Sequence, residues 1–548
     1  MLTCLVCDEI HEVRGFSLTL HGAGAYLAAE FDSDGKPVRF LSRDALGNQI
    51  GTLVLSDPDS DHRSLFNLKV DYVHDGFTEQ EVVPQGSRLY GRVVKHPAPT
   101  PYKRNDLFDL ARGLKDSKNT WATTEIPAAY TYFAQFVAHE VSKIRDEGGA
   151  HGPYSWATPA LDLNSVLDPL PANRAFDPKR HVIVHDTAVG WTTYANGARY
   201  FPGDLPRDTE GKALIPDQRN DSNLIVAQIH LAIIKLYQLI TVFEPGGTTE
   251  TWRRTAARHL QSIVLQDLLP RITGRTWQFA APFVRKFVWP RGEGNFLIPL
   301  EFAAACFRFG HSMVREAGYN FSDQHSQAHA DDLLMSAGKP LKNDWQLRWE
   351  NLIRLDPKVS DPVDLADPVD AFMAYKLNSR MDLRDFSIEP TPYEAKTYLR
   401  NLSSPFSIHD VSLLRGYSVK LPSAQECVKI VMGDDAWVDP RPPYSWILRQ
   451  ADTSGEMRES TPLWFHVLAE AGATRGAILG PMATQIVAET LHAAAAANAG
   501  GIVESDGRID FTPLAALAPP NSTKFTLPDL LRAARDLWPE HVFHKYSN

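Results

Sequence analysis

The chain has 548 residues, 43% hydrophobic and 22% charged, ordinary values for a globular protein and enough chain to bury a large core. By length alone roughly three or four domains are allowed. A formal net charge of −10, with no run of lysine and arginine, argues against a nucleic-acid-binding protein. The start of the chain, Met1 to Val13, carries Asp8, Glu9 and Glu12 and no positive stretch, so no signal peptide is evident. The location expected from this is cytoplasmic or non-classically secreted. Four cysteines are too few for a disulfide framework. Cys4 and Cys7 form a CxxC, but no second pair follows and His11 would add only a third ligand, so they read as incidental thiols.

In chain order, residues 16–95 hold short alternating runs such as Phe16-Ser17-Leu18-Thr19-Leu20 and Leu68-Lys69-Val70-Asp71-Tyr72-Val73. Gly, Asp and Pro punctuate them, which predicts strands and turns. Residues 1–95 are therefore expected to be a partly β N-terminal segment, and 96–548 the main domain. From about residue 120 helical periodicity takes over. A helix is predicted from Pro127 to about Asp146, stopped by Gly148-Gly149. Another covers roughly 221–241. Its apolar stretch from Leu224 to Tyr237 is broken by Gln228, His230 and Lys235, so a buried helix fits better than a membrane span. A third is predicted from Thr251 to Leu269, ended by Pro270, and a fourth from Pro299 to Ala317, with Gly318 just past its end. A further apolar run lies near 461–500. The fold class expected is mainly α, a multi-helix body with a small β-rich N-terminal portion.

Several side chains in this body carry chemistry. Gln135 and His139 are four apart, so one helix face presents both. Arg308 and His311 are three apart, and Gly310 between them leaves room for something flat and bulky. Arg219 follows Pro216-Asp217 at a helix start, where an N-terminal ion pair would be routine. In Thr158-Pro159-Ala160-Leu161-Asp162-Leu163-Asn164, oxygen donors alternate along the chain and could wrap a hard cation such as Ca²⁺. Taken singly, each is better read as a satisfied core residue or a turn.

Taken in order, they resemble one family. Phe133-Ala134-Gln135-Phe136-Val137-Ala138-His139-Glu140, Thr158 to Leu163, Asp217-Gln218-Arg219-Asn220-Asp221, Phe307-Arg308-Phe309-Gly310-His311 and Leu413-Leu414-Arg415-Gly416-Tyr417 are similar to five motifs of the animal-type haem peroxidases. These belong to the peroxidase–cyclooxygenase superfamily, and a bacterial branch is expected. The likeness runs from roughly residue 120 to beyond 430.

The resemblance implies a multi-helix haem peroxidase fold and a role for each residue. His311 would be the proximal ligand of the haem iron. His139 would be the distal acid–base group, Arg219 the stabiliser of developing negative charge, and Gln135 the distal glutamine. Arg308 and Arg415 would pair with haem propionates. Ser412 stands where the family has the asparagine that accepts from the proximal imidazole. Glu140, Thr158, the Ala160 carbonyl, Asp162 and Asn164 would hold a structural calcium, with glutamate replacing the family's aspartate at 140. Ala138, Ser222 and Asn223 stand where mammalian members attach the haem covalently, so haem b should be held without covalent links.

The function implied is a peroxidase that reduces hydrogen peroxide, as in a response to oxidative stress, and oxidises small organic or halide donors. The fatty-acid dioxygenases of the superfamily are the alternative. They require a tyrosine three residues before the proximal histidine, and that residue here is Arg308. A haem-binding protein without turnover is a third reading, opposed by the joint presence of His139, Arg219 and Gln135.

Overall fold

The computed structural model describes residues 90–115, 124–145, 154–168, 203–277, 281–290, 295–335, 338–373 and 406–537, apart from scattered positions within them. Upstream, and at 183–200, it describes the backbone of short strands. The protein is mainly helical, as the periodicity predicts. Cys7 and the Gly148-Gly149 pair lie outside the described residues; Cys4 ends strand β1 (Leu2–Cys4), which pairs with β2 (Glu9–His11).

The alternating runs upstream form an antiparallel sheet. Strands β3 (Leu18–Thr19), β4 (Tyr26–Phe31), β5 (Pro37–Arg43), β6 (Gln49–Val54) and β7 (Asp71–Val73) pair in sequence order as a meander. The register pairs Phe40 with Ala29 on one side and Leu53 on the other, so a period of two sets a common face.

Strand β8 (Arg88–Leu89) instead pairs with β10 (Tyr154–Ser155), which pairs in turn with β9 (Ile144–Arg145). Gly91 then lies against the segment before the fourth predicted helix: its N–H donates to the Ile298 carbonyl at 2.9 Å, and its carbonyl accepts from Leu300 at 2.9 Å. A Cβ at Gly91 would meet the Leu297 carbonyl oxygen at 3.0 Å, so the close approach needs glycine. Arg92 donates to the Val419 and Lys420 carbonyls, both at 2.8 Å. Among the described residues, the stretch Arg88–Arg92 is thus attached to the segments at 144–155, 298–300 and 419–420.

Helix α1 (Arg104–Lys115) buries Leu107, Leu110 and Leu114, one face at helical spacing. Helix α2 (Ala129–Val141) is shorter than the predicted 127–146. Ser142 is extended (φ −152°, ψ 132°), and Lys143 donates its N–H to Ser155 Oγ at 3.1 Å. Pairing with β10 captures residues that could have continued the helix.

After the short α3 (Asn164–Leu167) comes α4 (Leu224–Phe243), capped by the Asn223 side chain, which accepts from Val226 N–H at 3.0 Å. It is long and apolar enough to cross a membrane by composition. Its most apolar 18-residue window, mean hydropathy 1.7, is however 67% buried against the rest of the body. Helix α5 (Thr249–Ser262) starts at a Thr248/Thr251 capping box and runs through a wide π turn, Ile263–Leu268, into α6 (Leu269–Thr273). Pro270 therefore does not end it. The wider turn changes which carbonyls must be matched, and Gly274, left-handed at φ +62°, makes the stop.

The helix predicted over 299–317 is not continuous. Helix α7 (Leu300–Ala304) breaks at Ala305 (φ −135°, ψ −71°), and a 3₁₀ segment, Cys306–His311, follows. Arg308 and His311 still share a side, because residues three apart eclipse in a 3₁₀ helix. Further on, α8 (Ile408–Ser418) and α9 (Ala424–Met432) each begin with a capping box. The apolar run at 461–500 splits into α10 (Leu463–Gly472) and α11 (Pro481–Ala496). Helix α11 buries residues on all sides, among them Met482, Ile486, Val487 and Leu491, and so runs through the core.

Candidate functional site

Helix α2 is buried almost throughout, yet Gln135, Ala138 and His139 keep accessible surface. The same holds for Arg308, Gly310 and His311 on the 3₁₀ segment. His139, Arg308 and His311 are half-buried but strongly desolvated, and His311 feels the charges of both Arg308 and His139, so the three share one recess, the cleft. A Cβ on Gly310 would find nothing nearer than the Thr131 carbonyl of α2, 4.0 Å away. Open space thus lies beside His311, as the glycine predicted.

His139 is held from behind. Its Nδ1 is 2.9 Å from Asn220 Oδ1, and the Asn220 amide nitrogen reaches Ser165 Oγ at 3.2 Å and His230 Nδ1 at 3.0 Å. With Asn220 Oδ1 as acceptor, His139 carries its proton on Nδ1 and turns an unprotonated Nε2 to the cleft. That nitrogen makes no hydrogen bond among the described residues. Burial, and then the charge of Arg219, push the imidazole down to about 3, against the pull of Asp217 and Asn220, so it is neutral near pH 7.

Arg219 stands beside the end of α2. Asp217 grips it with both carboxylate oxygens: Nε donates to Oδ1 at 3.0 Å and a terminal nitrogen to Oδ2 at 2.7 Å. The terminal nitrogens also donate to the His139 and Ser142 carbonyls, each at 2.8 Å. One guanidinium N–H is left over. Burial works to raise the Asp217 carboxyl, but Arg219 and Lys143 outweigh it and hold it well below the usual range. Gln135 is less free than expected. Its Nε2 donates to Ser222 Oγ at 3.3 Å and its Oε1 accepts from Asn223 Nδ2 at 3.1 Å.

Across the cleft, His311 turns a buried Nδ1 inward, where it has no hydrogen-bond partner, and keeps surface at Nε2. Burial, then Arg308, His409 and His139, lower it to about 3. The hydrogen bond expected from His311 to Ser412 is not made: Ser412 Oγ is also buried without a partner. His409, one turn earlier on α8 and fully buried, is the group on that helix whose charge His311 feels, after that of Arg308. Arg308 donates Nε to the Ala303 carbonyl at 3.0 Å, while its terminal nitrogens make no hydrogen bond among the described residues. Arg415, on α8, is buried at 3% exposure.

A tyrosine joins the site that the motifs did not indicate. Tyr90, just after β8, hydrogen-bonds Ser142 Oγ at 2.8 Å. Burial raises its phenol, against the pull of Ser142, Ser155, Arg219 and Arg308. Nothing around Tyr90 in the sequence marks it. Asn220, by contrast, lies inside the Asp217–Asp221 motif and was legible as a polar residue next to Arg219.

Glu140, Thr158, Asp162 and Asn164 also converge, close behind His139. Glu140 is fully buried, and burial together with the Asp162 carboxylate raises it to about 8, against hydrogen bonds from Ser165 and Asn164. Asp221, next to Ser222, is not available to an ester link. Arg207 takes both of its oxygens at 2.7 and 3.0 Å in a buried ion pair.

No family model matches the chain, and no curated protein matches it by sequence. Among solved structures, peroxidase A from Dictyostelium discoideum aligns with TM-score 0.51 and 14% identity, over 75% of this chain and 88% of that one. Fatty acid alpha-dioxygenases from Oryza sativa (TM-score 0.46, 11% identity, 73% of this chain and 74% of that) and Arabidopsis thaliana (0.47, 13%, 80% and 74%) score lower, and at those scores decide nothing. The likeness to the Dictyostelium protein is one of fold: the chain shares its mainly helical architecture.

Proposed function

We propose that this chain is a haem-dependent oxidoreductase of the peroxidase–cyclooxygenase type and, within that class, a peroxidase acting on hydrogen peroxide and a small organic or halide donor. The observation that carries the reading is the nearness of two neutral imidazoles, His311 lying within electrostatic reach of His139. His139 and His311 turn open Nε2 atoms into one cleft, with Arg219 beside the first and Arg308 beside the second.

These residues fit haem b. The His311 imidazole, its outward nitrogen free, would hold the iron, the space beside Gly310 would take a flat ring, and the end of Arg308, without a hydrogen bond among the described residues, would meet a propionate, with Arg415 as a second candidate. Haem b, when bound, supplies two-electron oxidation by peroxide followed by single-electron return from a donor. The chain supplies the proton handling. His139 Nε2 takes a proton from one peroxide oxygen and returns it to the other, so that water departs. Its Nδ1–H stays on Asn220 throughout, which fixes the ring. The remaining N–H of Arg219 meets negative charge developing on the oxygen, and Asp217 keeps that guanidinium in place. Gln135, tied to Ser222 and Asn223, shapes the same wall.

The test is haem titration of the wild-type chain and of His311→Ala. Wild type should bind one haem with a Soret band and His311→Ala should not; an unchanged band in the variant would remove the axial assignment. Stopped-flow mixing with hydrogen peroxide, then with phenols, halides or unsaturated fatty acids, tests the substrate class.

One observation favours the dioxygenase reading. Tyr90 places a phenol beside Arg219 and Arg308, although the position three before His311 holds arginine. Oxygen uptake with fatty acid, lost in Tyr90→Phe while donor oxidation persists, would select that reading.

Haem should leave the protein intact on acid–acetone extraction. Ala138, Ser222 and Asn223 offer no carboxylate or thioether, and Asp221 is committed to Arg207. Haem remaining with the polypeptide would count against this account of the site.

A further inference from the structure

We propose that the loop at 158–168, where the resemblance implies bound calcium, is held by the chain's own donors instead: the Asn164 side-chain amide occupies the cation's place and Arg253 supplies the positive charge. The proposal concerns stability and stands apart from the haem reading.

Asn164 Nδ2 has oxygens on three sides, the Glu140 carbonyl at 2.8 Å, Asp162 Oδ1 at 3.0 Å and Glu140 Oε1 at 3.2 Å. The Glu140 carbonyl cannot donate, Glu140 Oε1 already accepts from Asn164 N–H and Asp162 Oδ1 from Thr158, so turning the amide over would set its oxygen against three accepting oxygens. The orientation is fixed by its surroundings. Main-chain groups complete the set. Asn164 N–H donates to Glu140 Oε1 at 2.9 Å and lies 3.2 Å from Asp162 Oδ1, and Ser165 N–H donates to Glu140 Oε2 at 3.0 Å. Thr158 points its hydroxyl hydrogen at Asp162 Oδ1, 3.0 Å away, and so acts as a donor.

Calcium needs about 6–8 oxygens turned inward with their lone pairs free. Here the oxygens are turned on N–H and O–H groups. The longer arm of glutamate at 140 fits this arrangement, because it reaches the main-chain N–H of both Asn164 and Ser165. The repulsion between the buried Glu140 carboxyl and the half-buried Asp162 carboxylate, which a cation would relieve, is met by the amide dipoles and by Arg253. That guanidinium donates Nε to the Asp162 carbonyl at 3.0 Å and a terminal nitrogen to Asp168 Oδ1 at 2.7 Å. Glu140 and Asp162 both feel its charge.

Thermal unfolding of the full chain in EGTA and in excess Ca²⁺, with metal content measured on the same preparation, tests this. Wild type is expected to hold no stoichiometric calcium and to melt at the same temperature in both buffers. Asn164→Asp replaces the central donor by a third carboxylate; it should melt lower in EGTA and recover with Ca²⁺. Arg253→Gln should melt lower in both. About one calcium per wild-type chain, a wild-type melting temperature that falls in EGTA, or an Asn164→Asp chain indifferent to Ca²⁺ would overturn the proposal. If Asn164→Asp does not fold, the wild-type measurements decide alone. The Soret band recorded alongside reports on the haem reading separately.

Discussion

On the proposed peroxidase reading, His139→Ala is expected to slow the reaction with hydrogen peroxide by roughly 10²–10⁴-fold and to leave haem bound one to one, the range for removal of a positioned acid–base group. The size follows from how fully the ring is prepared. Burial and Arg219 keep it neutral, the Nδ1 contact with Asn220 leaves the lone pair on Nε2, and no other described residue shares that nitrogen. Arg219 is no substitute base, since a guanidinium offers donors and no acceptor, and most of its N–H groups are spent on Asp217 and the end of α2. Asn220→Leu should give a smaller loss, because the base survives but its tautomer and aim are released. The measurement is the second-order rate of Soret change on mixing with peroxide. An unchanged rate in His139→Ala would show that a different group moves the proton.

Arg207→Ala should cost about 3–5 kcal/mol of stability, the usual result of breaking a buried ion pair from one side. Arg207 and Asp204 have side chains 2% exposed, and Asp221 5%. Every guanidinium N–H is used: two bonds reach Asp204, two reach Asp221 and one reaches the Gly211 carbonyl. Alanine would leave two carboxylates buried without a counter-charge. Arg207→Lys keeps the charge but has at most three donors and no fork, so an intermediate loss is expected. Urea unfolding reads both. A midpoint for Arg207→Ala within error of wild type would mean that water reaches the carboxylates and the pair is not structural. The effect should spread to the cleft, because Asp221 closes the 3₁₀ turn, Gln218–Asp221, that carries Arg219 and Asn220.

What could be read from the chain and what could not divide along physical lines. The helix bearing Gln135 and His139, the turn bearing Arg219 and the segment bearing His311 were legible because each depends on residues a few positions apart. The upstream strands were legible for the same reason, through alternation. The break at Ala305 was not. Phe302-Ala303-Ala304-Ala305-Cys306 contains no glycine, proline or capping residue, so nothing local in the sequence marks the kink. Pro270 misled in the opposite direction, because a π turn carries the helix past a residue that normally ends one. Helix α2 was drawn too long because its competitor, β10, lies farther along the chain. Within the site, Ser412 was placed behind His311 by motif position, but the contact it was meant to make is absent. Tyr90, His409 and Arg207 lie outside the five motifs, so only the folded chain brings them near motif residues.

The strand that delivers Tyr90 behaves as a clasp. Arg88 and Leu89 hold the edge of β10, Gly91 fits under the approach to α7, and Arg92 covers the open carbonyls at the end of α8. A chain shortened to begin at residue 96 would keep every motif histidine and arginine. It would nevertheless lose the phenol beside Arg219, expose the α8 terminus and free the sheet that ends α2. The smallest piece expected to preserve the cleft therefore begins no later than Arg88, inside a stretch that its motifs alone would have discarded.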